Sequence, residues 1–77
     1  MSKEIYRLTE TLSEGFEKGD LVFMDYDFPI EYLYRCNEEG KEVLDEEEDP
    51  IIYDWHPSLE SCPWDSKLEL YKVIDRL

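Results

Sequence analysis

The clearest strand signal in the chain lies at residues 16–26, FEKGDLVFMDY. Residues 16–20 are typical of a tight turn, because Gly19 can adopt a positive φ at little cost. Residues 21–26 follow directly and are rich in β-branched and aromatic side chains, which favour strands. The sequence therefore predicts a turn that leads into a central β-strand.

Further strands are predicted on the C-terminal side of this segment. Residues 30–36, IEYLYRC, alternate well between the two faces of a strand. Residues 37–41 contain a glycine and are typical of a hairpin loop, so residues 42–44 are expected to form the returning strand. Residues 51–55 predict another short strand.

The two terminal segments admit both helix and strand. In residues 3–14, three apolar residues have helical spacing, whereas two threonines slightly favour a strand. In residues 65–77, a capping Asp or Ser favours a helix, whereas Leu68 and Leu70 alternate with charged residues as in a strand. The expected fold class is mainly β to α+β. It is a single small, strongly bent antiparallel sheet or barrel-like domain of about 4–5 strands, with a terminal helix as one option.

The run from Phe16 to Phe23 resembles the diverging turn of Src-homology-type small barrels. An apolar residue, a Gly-Asp turn and an apolar strand follow one another, and the resemblance covers eight of the 77 residues. It implies a small, strongly bent antiparallel sheet. The aromatic ligand groove of those domains has no counterpart here, so no binding residues are carried over.

Size and composition exclude several classes of protein. A chain of 77 residues is expected to form one acidic domain, residues 1–77, with a thin core and a folded surface of roughly 5,000 Å². This excludes a two-domain enzyme. No signal-peptide pattern is present, and the two cysteines are therefore expected to be reduced thiols. The longest uninterrupted apolar stretch, residues 21–24, is too short for a transmembrane helix. A cytoplasmic location is therefore expected.

The charge of the chain is strongly negative, with 21 acidic and 8 basic residues and a net charge of −13. Such a chain repels nucleic acids and anionic membranes and attracts basic surfaces. Eight of the twelve positions from 38 to 49 are acidic, and the unbroken run at 45–49 predicts a loop tip or an exposed strand edge. On an extended edge, alternate side chains lie roughly 6–7 Å apart, close to the spacing of successive phosphates.

The charge pattern predicts a partner-binding surface. The expected partner is a basic nucleic-acid-binding protein or enzyme. In its charge the chain resembles the DNA-mimic inhibitors common among phage proteins. An immunity protein or antitoxin that neutralises a basic toxin would bind through the same attraction of opposite charges. Trp55 and Trp64 are expected to anchor the complex. The acids at 25, 27, 31 and 54 widen the negative surface. The predicted partner-binding residues are Glu38, Glu39, Glu42, Asp45, Glu46, Glu47, Glu48, Asp49, Asp54, Trp55 and Trp64.

The other aromatic residues near the acidic run are expected in the core, because they occupy strand positions. This prediction covers Phe23, Tyr32 and Tyr34, together with the apolar Ile52. An alternative function is a small structural or regulatory interaction domain whose acidity only confers solubility.

Catalysis and metal binding have little support in the sequence. The single His56, with Ser58 and Ser61 close in sequence, does not define a catalytic triad. Cys36, Cys62 and His56 lack the spacing of a zinc site. The chain is therefore expected to be a binding protein rather than an enzyme, with no cofactor and no metal.

Overall fold

The computed structural model of the chain, which describes residues 2–27, 29–56, 64 and 66–75, contains one antiparallel sheet of five strands. The sheet lies in the order β4-β3-β2-β1-β5 and is not closed into a barrel. The prediction of a small antiparallel sheet is confirmed, and no helix occurs in these residues. The strands are β1 (Ser2–Leu8), β2 (Leu21–Asp27), β3 (Ile30–Arg35), β4 (Ile52–Trp55) and β5 (Leu68–Asp75).

Both terminal segments are strands because they pair with each other. Every residue of β1, from Ser2 to Leu8, has a partner in β5. The ladder contains one bulge: Ile5 pairs with Lys72 and Tyr6 pairs with Leu70, so that Tyr71 is the extra residue. The helical alternatives, including the terminal helix, are therefore wrong for residues 3–8 and 68–75.

The central strand predicted at 21–26 is present as β2, and the strand predicted at 30–36 is present as β3. β4 lies within the strand predicted at 51–55. The returning strand predicted at 42–44 is wrong. β4 takes the place beside β3, from the Tyr34–Ile52 pair to the Glu31–Trp55 pair. Glu42 and Leu44 make only isolated bridges, to Cys36 and Pro50.

Each face of the sheet carries its own apolar cluster. Directly opposed residues in antiparallel strands share a face, so the register assigns each side chain to one of two faces. On the first, called here the Val22 face, Leu8, Val22 and Leu33 are buried under Phe16 and Trp64. The opposite face, called here the Phe23 face, buries Ile5, Phe23 and Cys36.

The pairing between β1 and β2 is short. Only Tyr6–Val22 and Arg7–Leu21 are paired, and an open cleft of about 430 Å³ separates the start of β1 from the end of β2. Lys3 lies beside this cleft. Its ammonium is 3.5 Å from the centroid of the Phe23 ring, and its Nζ donates a hydrogen bond to the Gly40 carbonyl (2.6 Å). Side chains therefore connect β1 to the rest of the fold where the ladder ends.

Candidate functional site

Two consecutive turns present the acidic segment, and they share one hydrogen-bond pattern. In the first turn, residues 37–41, the Asn37 N–H donates to the Lys41 carbonyl (3.0 Å). The Asn37 Oδ1 accepts from the N–H groups of Glu39 (2.9 Å) and Lys41 (3.1 Å). The second turn, residues 45–49, repeats these three bonds eight positions later, at 2.8, 2.8 and 3.1 Å. An Asx side chain therefore shapes each turn.

The fourth residue of each turn has a left-handed backbone conformation. This residue is Gly40 in the first turn (φ 81°) and Glu48 in the second (φ 64°). Glycine adopts such a φ without steric cost, whereas a residue with a Cβ does not. The second turn thus keeps an acidic side chain where the backbone favours glycine.

All eight acidic residues predicted in these turns and beside them are exposed. The prediction of a loop tip at 45–49 is confirmed. A tight turn does not arrange alternate residues in rows, so the comparison with phosphate spacing does not apply to this segment. Among the described residues, no ion pair joins the acids of the second turn to a basic side chain. The exposed acids are Glu38, Glu39, Glu42, Asp45, Glu46, Glu47, Glu48 and Asp49.

The first turn is anchored to β5 on the Phe23 face. The Tyr71 hydroxyl donates to Glu38 Oε1 (2.9 Å), and Lys72 Nζ donates to the Glu38 carbonyl (3.3 Å). The hydrogen bond to Glu38 is the main reason that the pKa of Tyr71 lies above its ordinary value. Glu38 and Asp45 therefore have structural roles that sequence reasoning missed, whereas Glu46, Glu47 and Glu48 of the second turn are exposed.

A second group of acids lies on the strands of the Phe23 face. Asp25 and Asp54 stand opposite Tyr32 on its two sides, so the three form one row across β2, β3 and β4. Asp27 follows Asp25 on the same face at roughly 6–7 Å, the spacing of alternate strand residues. The spacing of alternate strand residues expected for the acids at 45–49 therefore applies to Asp25 and Asp27 on β2.

Tyr34 reports the electrostatics of this face. Its ring stacks on Phe23 with a centroid distance of 4.9 Å. Burial raises the pKa of Tyr34 above its ordinary value, and the charges of Asp25, Glu42 and then Asp27 raise it further. Acids from a strand and from the turn region therefore act on the same phenol.

The negative charge is concentrated in one part of the chain. Residues 21–56, called here the acidic half, contain twelve acidic and two basic side chains, a net charge of −10. The other 41 residues contain nine acidic and six basic side chains, a net charge of −3. The acidic half comprises the neighbouring strands β2, β3 and β4 together with both turns.

The two predicted tryptophan anchors have different environments. Trp64 is 3% exposed and packs edge-on against Tyr53 (5.7 Å between centroids) and Trp55 (6.2 Å). It is a core residue that covers the Val22 face, and we therefore exclude it from the candidate surface. Trp55 is half-buried on the edge strand β4, beside the exposed Asp54.

The predicted core residues also differ from one another. Phe23 is buried, as expected, and Tyr32 and Tyr34 are half-buried among the strand acids. Ile52 is 42% exposed, so its assignment to the core is wrong. It pairs with Tyr34 on the Phe23 face, where β4 is the edge strand and nothing in the described residues covers it enough to bury it.

The described residues contain no group of three or more His, Cys, Asp and Glu side chains arranged to hold a metal ion. Burial raises the pKa of the Cys36 thiol, which keeps this thiol protonated and weakly nucleophilic. Ser58, Ser61 and Cys62 lie outside the described residues. No helix in the described part of the chain has the length and apolar character needed to cross a membrane.

Comparison with protein-family models, with curated proteins and with solved structures finds no significant match to this chain.

Proposed function

We propose that this chain is an acidic protein-binding inhibitor that acts in the cytoplasm as a mimic of nucleic acid. It occupies the basic site of a nucleic-acid-binding protein or enzyme and catalyses no reaction itself. The observation that carries the proposal is the segregation of charge: a net −10 lies on residues 21–56, and the acids of both turns are exposed. A field of one sign, concentrated on one region, attracts a basic cleft and speeds encounter.

The two groups of acids have different parts in this proposal. The second turn projects Glu46, Glu47 and Glu48 into solvent, where they steer the partner at long range. The strand acids are held by the pleat, so Asp25, Asp27 and Asp54 set the register of contact. Tyr32 lies between Asp25 and Asp54 and supplies a ring face for a partner's arginine. Trp55 pairs with Glu31 and lies on the opposite face, so it contacts the partner separately, from the β4 edge.

Charge reversal with a matched control tests the proposal. The variant E46K/E47K/E48K reverses the second turn, and E10K/E14K/E17K reverses three exposed acids outside the acidic half, with the same change in net charge. Tagged wild type and both variants are incubated with cell lysate, and bound proteins are eluted by rising salt and identified. We expect the wild type and the control to capture the same basic nucleic-acid-binding protein, which duplex DNA displaces, and the second-turn variant to lose it.

Equal capture by both variants, or a captured protein that DNA does not displace, would rule out the mimic mechanism. Circular dichroism of all three proteins checks that the domain remains folded.

One observation favours the alternative, an apolar interaction domain. Met24, Tyr26, Leu70 and Val73 are between 46% and 58% exposed. By register all four lie on the Val22 face, on β2 and β5. Salt separates the two functions, because exposed charges are screened beyond roughly 8–10 Å at physiological ionic strength. A complex that resists high salt would favour the apolar face.

A further inference from the structure

The outer edge of β5 is the least protected edge of the sheet. The strand order leaves β4 and β5 at the two edges. β4 has only four residues, and short edge strands resist pairing with other chains. β5 has eight residues without proline, of which six are exposed and two are half-buried. The exposed ones include Leu70 (58%), Tyr71 (41%) and Val73 (49%). No other described strand pairs with the outer edge of β5, and an open edge of this kind is a template for another strand.

The bulge in β5 makes this edge complementary to itself. Leu70 pairs with Tyr6 and Val73 pairs with Glu4, and both therefore lie on the Val22 face although they are three residues apart. An antiparallel pairing of two β5 strands about a two-fold axis between Tyr71 and Lys72 places Leu70 of one copy opposite Val73 of the other, twice. Apolar cross-strand pairs of this kind stabilise a sheet.

The charge of this region permits a second copy to approach. β1 and β5 together carry three basic residues (Lys3, Arg7, Lys72) and three acidic residues (Glu4, Glu69, Asp75). The first turn lies over β5 and adds two acids and Lys41. This region is therefore close to neutral, whereas β2, β3 and β4 lie on the far side of β1. Pairing through β5 keeps the acidic strands β2, β3 and β4 of the two copies at opposite ends of the assembly, where ions screen their repulsion.

The exposed apolar side chains of β5 are the part of the described sheet that a second copy would cover, since Leu70 is 58% and Val73 is 49% exposed. We propose that two copies of this chain pair antiparallel through their β5 edges, so that two five-stranded sheets become one continuous sheet. This proposal is independent of the proposed function.

Sedimentation equilibrium of the untagged full chain tests the proposal. The apparent mass is expected to rise with concentration from 9.3 kDa toward twice that value. It is expected to rise further at about 1 M salt than at about 0.1 M, because the Debye length falls from about 10 Å to about 3 Å and repulsion between the acidic halves weakens. This response to salt is opposite to that of the complex with a basic partner, so either proposal can fail without the other.

A matched pair of variants locates the interface. L70K/V73K places two charges on the β5 edge, and M24K/Y26K places two charges on the same face two strands away, at residues of similar exposure. We expect L70K/V73K to remain a monomer and M24K/Y26K to self-associate as the wild type does. Hydrogen exchange of the wild type adds a readout that needs no variant: the amides of β5 should become more protected at high concentration.

A wild-type chain that stays at 9.3 kDa at all concentrations and at both salt levels would overturn the proposal, and the edge would then be bare or used by another protein. Equal loss of self-association in both variants would overturn the β5 interface. Unchanged β5 amide protection in a sample that self-associates would do the same.

Discussion

Replacing Glu48 with glycine is expected to stabilise the domain. Glu48 has a φ of 64°, at the position of the second turn that Gly40 occupies in the first. The left-handed conformation costs a residue with a Cβ roughly 1–2 kcal/mol. Glycine removes this cost, but it loses more conformational entropy on folding, which lowers the free energy of unfolding by about 0.5–1 kcal/mol.

The net gain expected for Glu48→Gly is therefore about 0.5–1 kcal/mol in the free energy of unfolding. For a domain of this size, this corresponds to a rise in Tm of about 3–6 °C. Thermal and urea unfolding, followed by circular dichroism, measure both quantities. The hydrogen bonds of Asp45 that shape the turn do not involve the Glu48 side chain, so the turn is expected to persist.

Two control variants separate backbone conformation from charge. Glu46→Gly removes the same charge from the same turn at a residue whose φ is not positive, and it is expected to lose about 0.5–1 kcal/mol. Glu48→Gln removes the charge but keeps the Cβ, and it is expected to gain less than Glu48→Gly. If Glu48→Gln stabilises the domain as much as Glu48→Gly, or if the two glycine variants are equally stable, the conformational reasoning is refuted.

In urea unfolding, Gly40→Ala should lower the free energy of unfolding by about 1 kcal/mol more than Gly19→Ala. Both glycines have a positive φ, but only a Cβ at position 40 meets side-chain atoms within 3.4 Å. Equal losses would contradict this packing. Lys3→Met should lower the free energy of unfolding by about 1–2 kcal/mol, since it removes the hydrogen bond to the first turn and the cation–π contact; an unchanged urea midpoint would argue against both contributions. The free energy of unfolding should fall above about pH 10. The pKa of Tyr34 is raised in the folded protein, so the fold favours the neutral phenol. This stabilisation is fully present below the ordinary pKa of 10.0 and is lost as the pH rises through the pKa of the folded state. Tyr34→Phe should reduce this loss, and an identical alkaline profile in the variant would refute the assignment.

Much of the sheet could be predicted from local sequence. β2 and the strand at 30–36 have alternating or β-branched and aromatic residues, and these patterns depend only on neighbours in the chain. The termini could not be assigned in this way, because β1 and β5 become strands by pairing with each other across most of the chain. The error at 42–44 has a similar origin. Two segments compete for one side of β3, and β4 occupies it.

The candidate site was predictable in its charge but not in its shape. The positions of the acids are plain in the sequence, and their exposure follows from it. A signal for the repeated turn was also present, since an Asx residue followed by two glutamates occurs at 37 and again at 45. The burial of Trp64 was not predictable, because it depends on how Phe16 and Tyr53 meet over the Val22 face.

The second turn is expected to lose stability for the sake of binding. At position 40 a Cβ would meet Ile5 and Ile74, so packing requires glycine there. Position 48 is exposed and also has a positive φ, which favours glycine, but it is occupied by glutamate. Strained residues persist where the strain serves a function, and here the function proposed is negative charge at the tip of the second turn. Glu48→Gly should therefore be more stable than the wild type and yet bind the basic partner less tightly, a trade between stability and activity. Glu48→Gln should bind as weakly as Glu48→Gly while gaining less stability. Titration of the captured partner with the three proteins at one salt concentration measures this, and wild-type affinity in both variants would show that the charge at 48 does not contribute to binding.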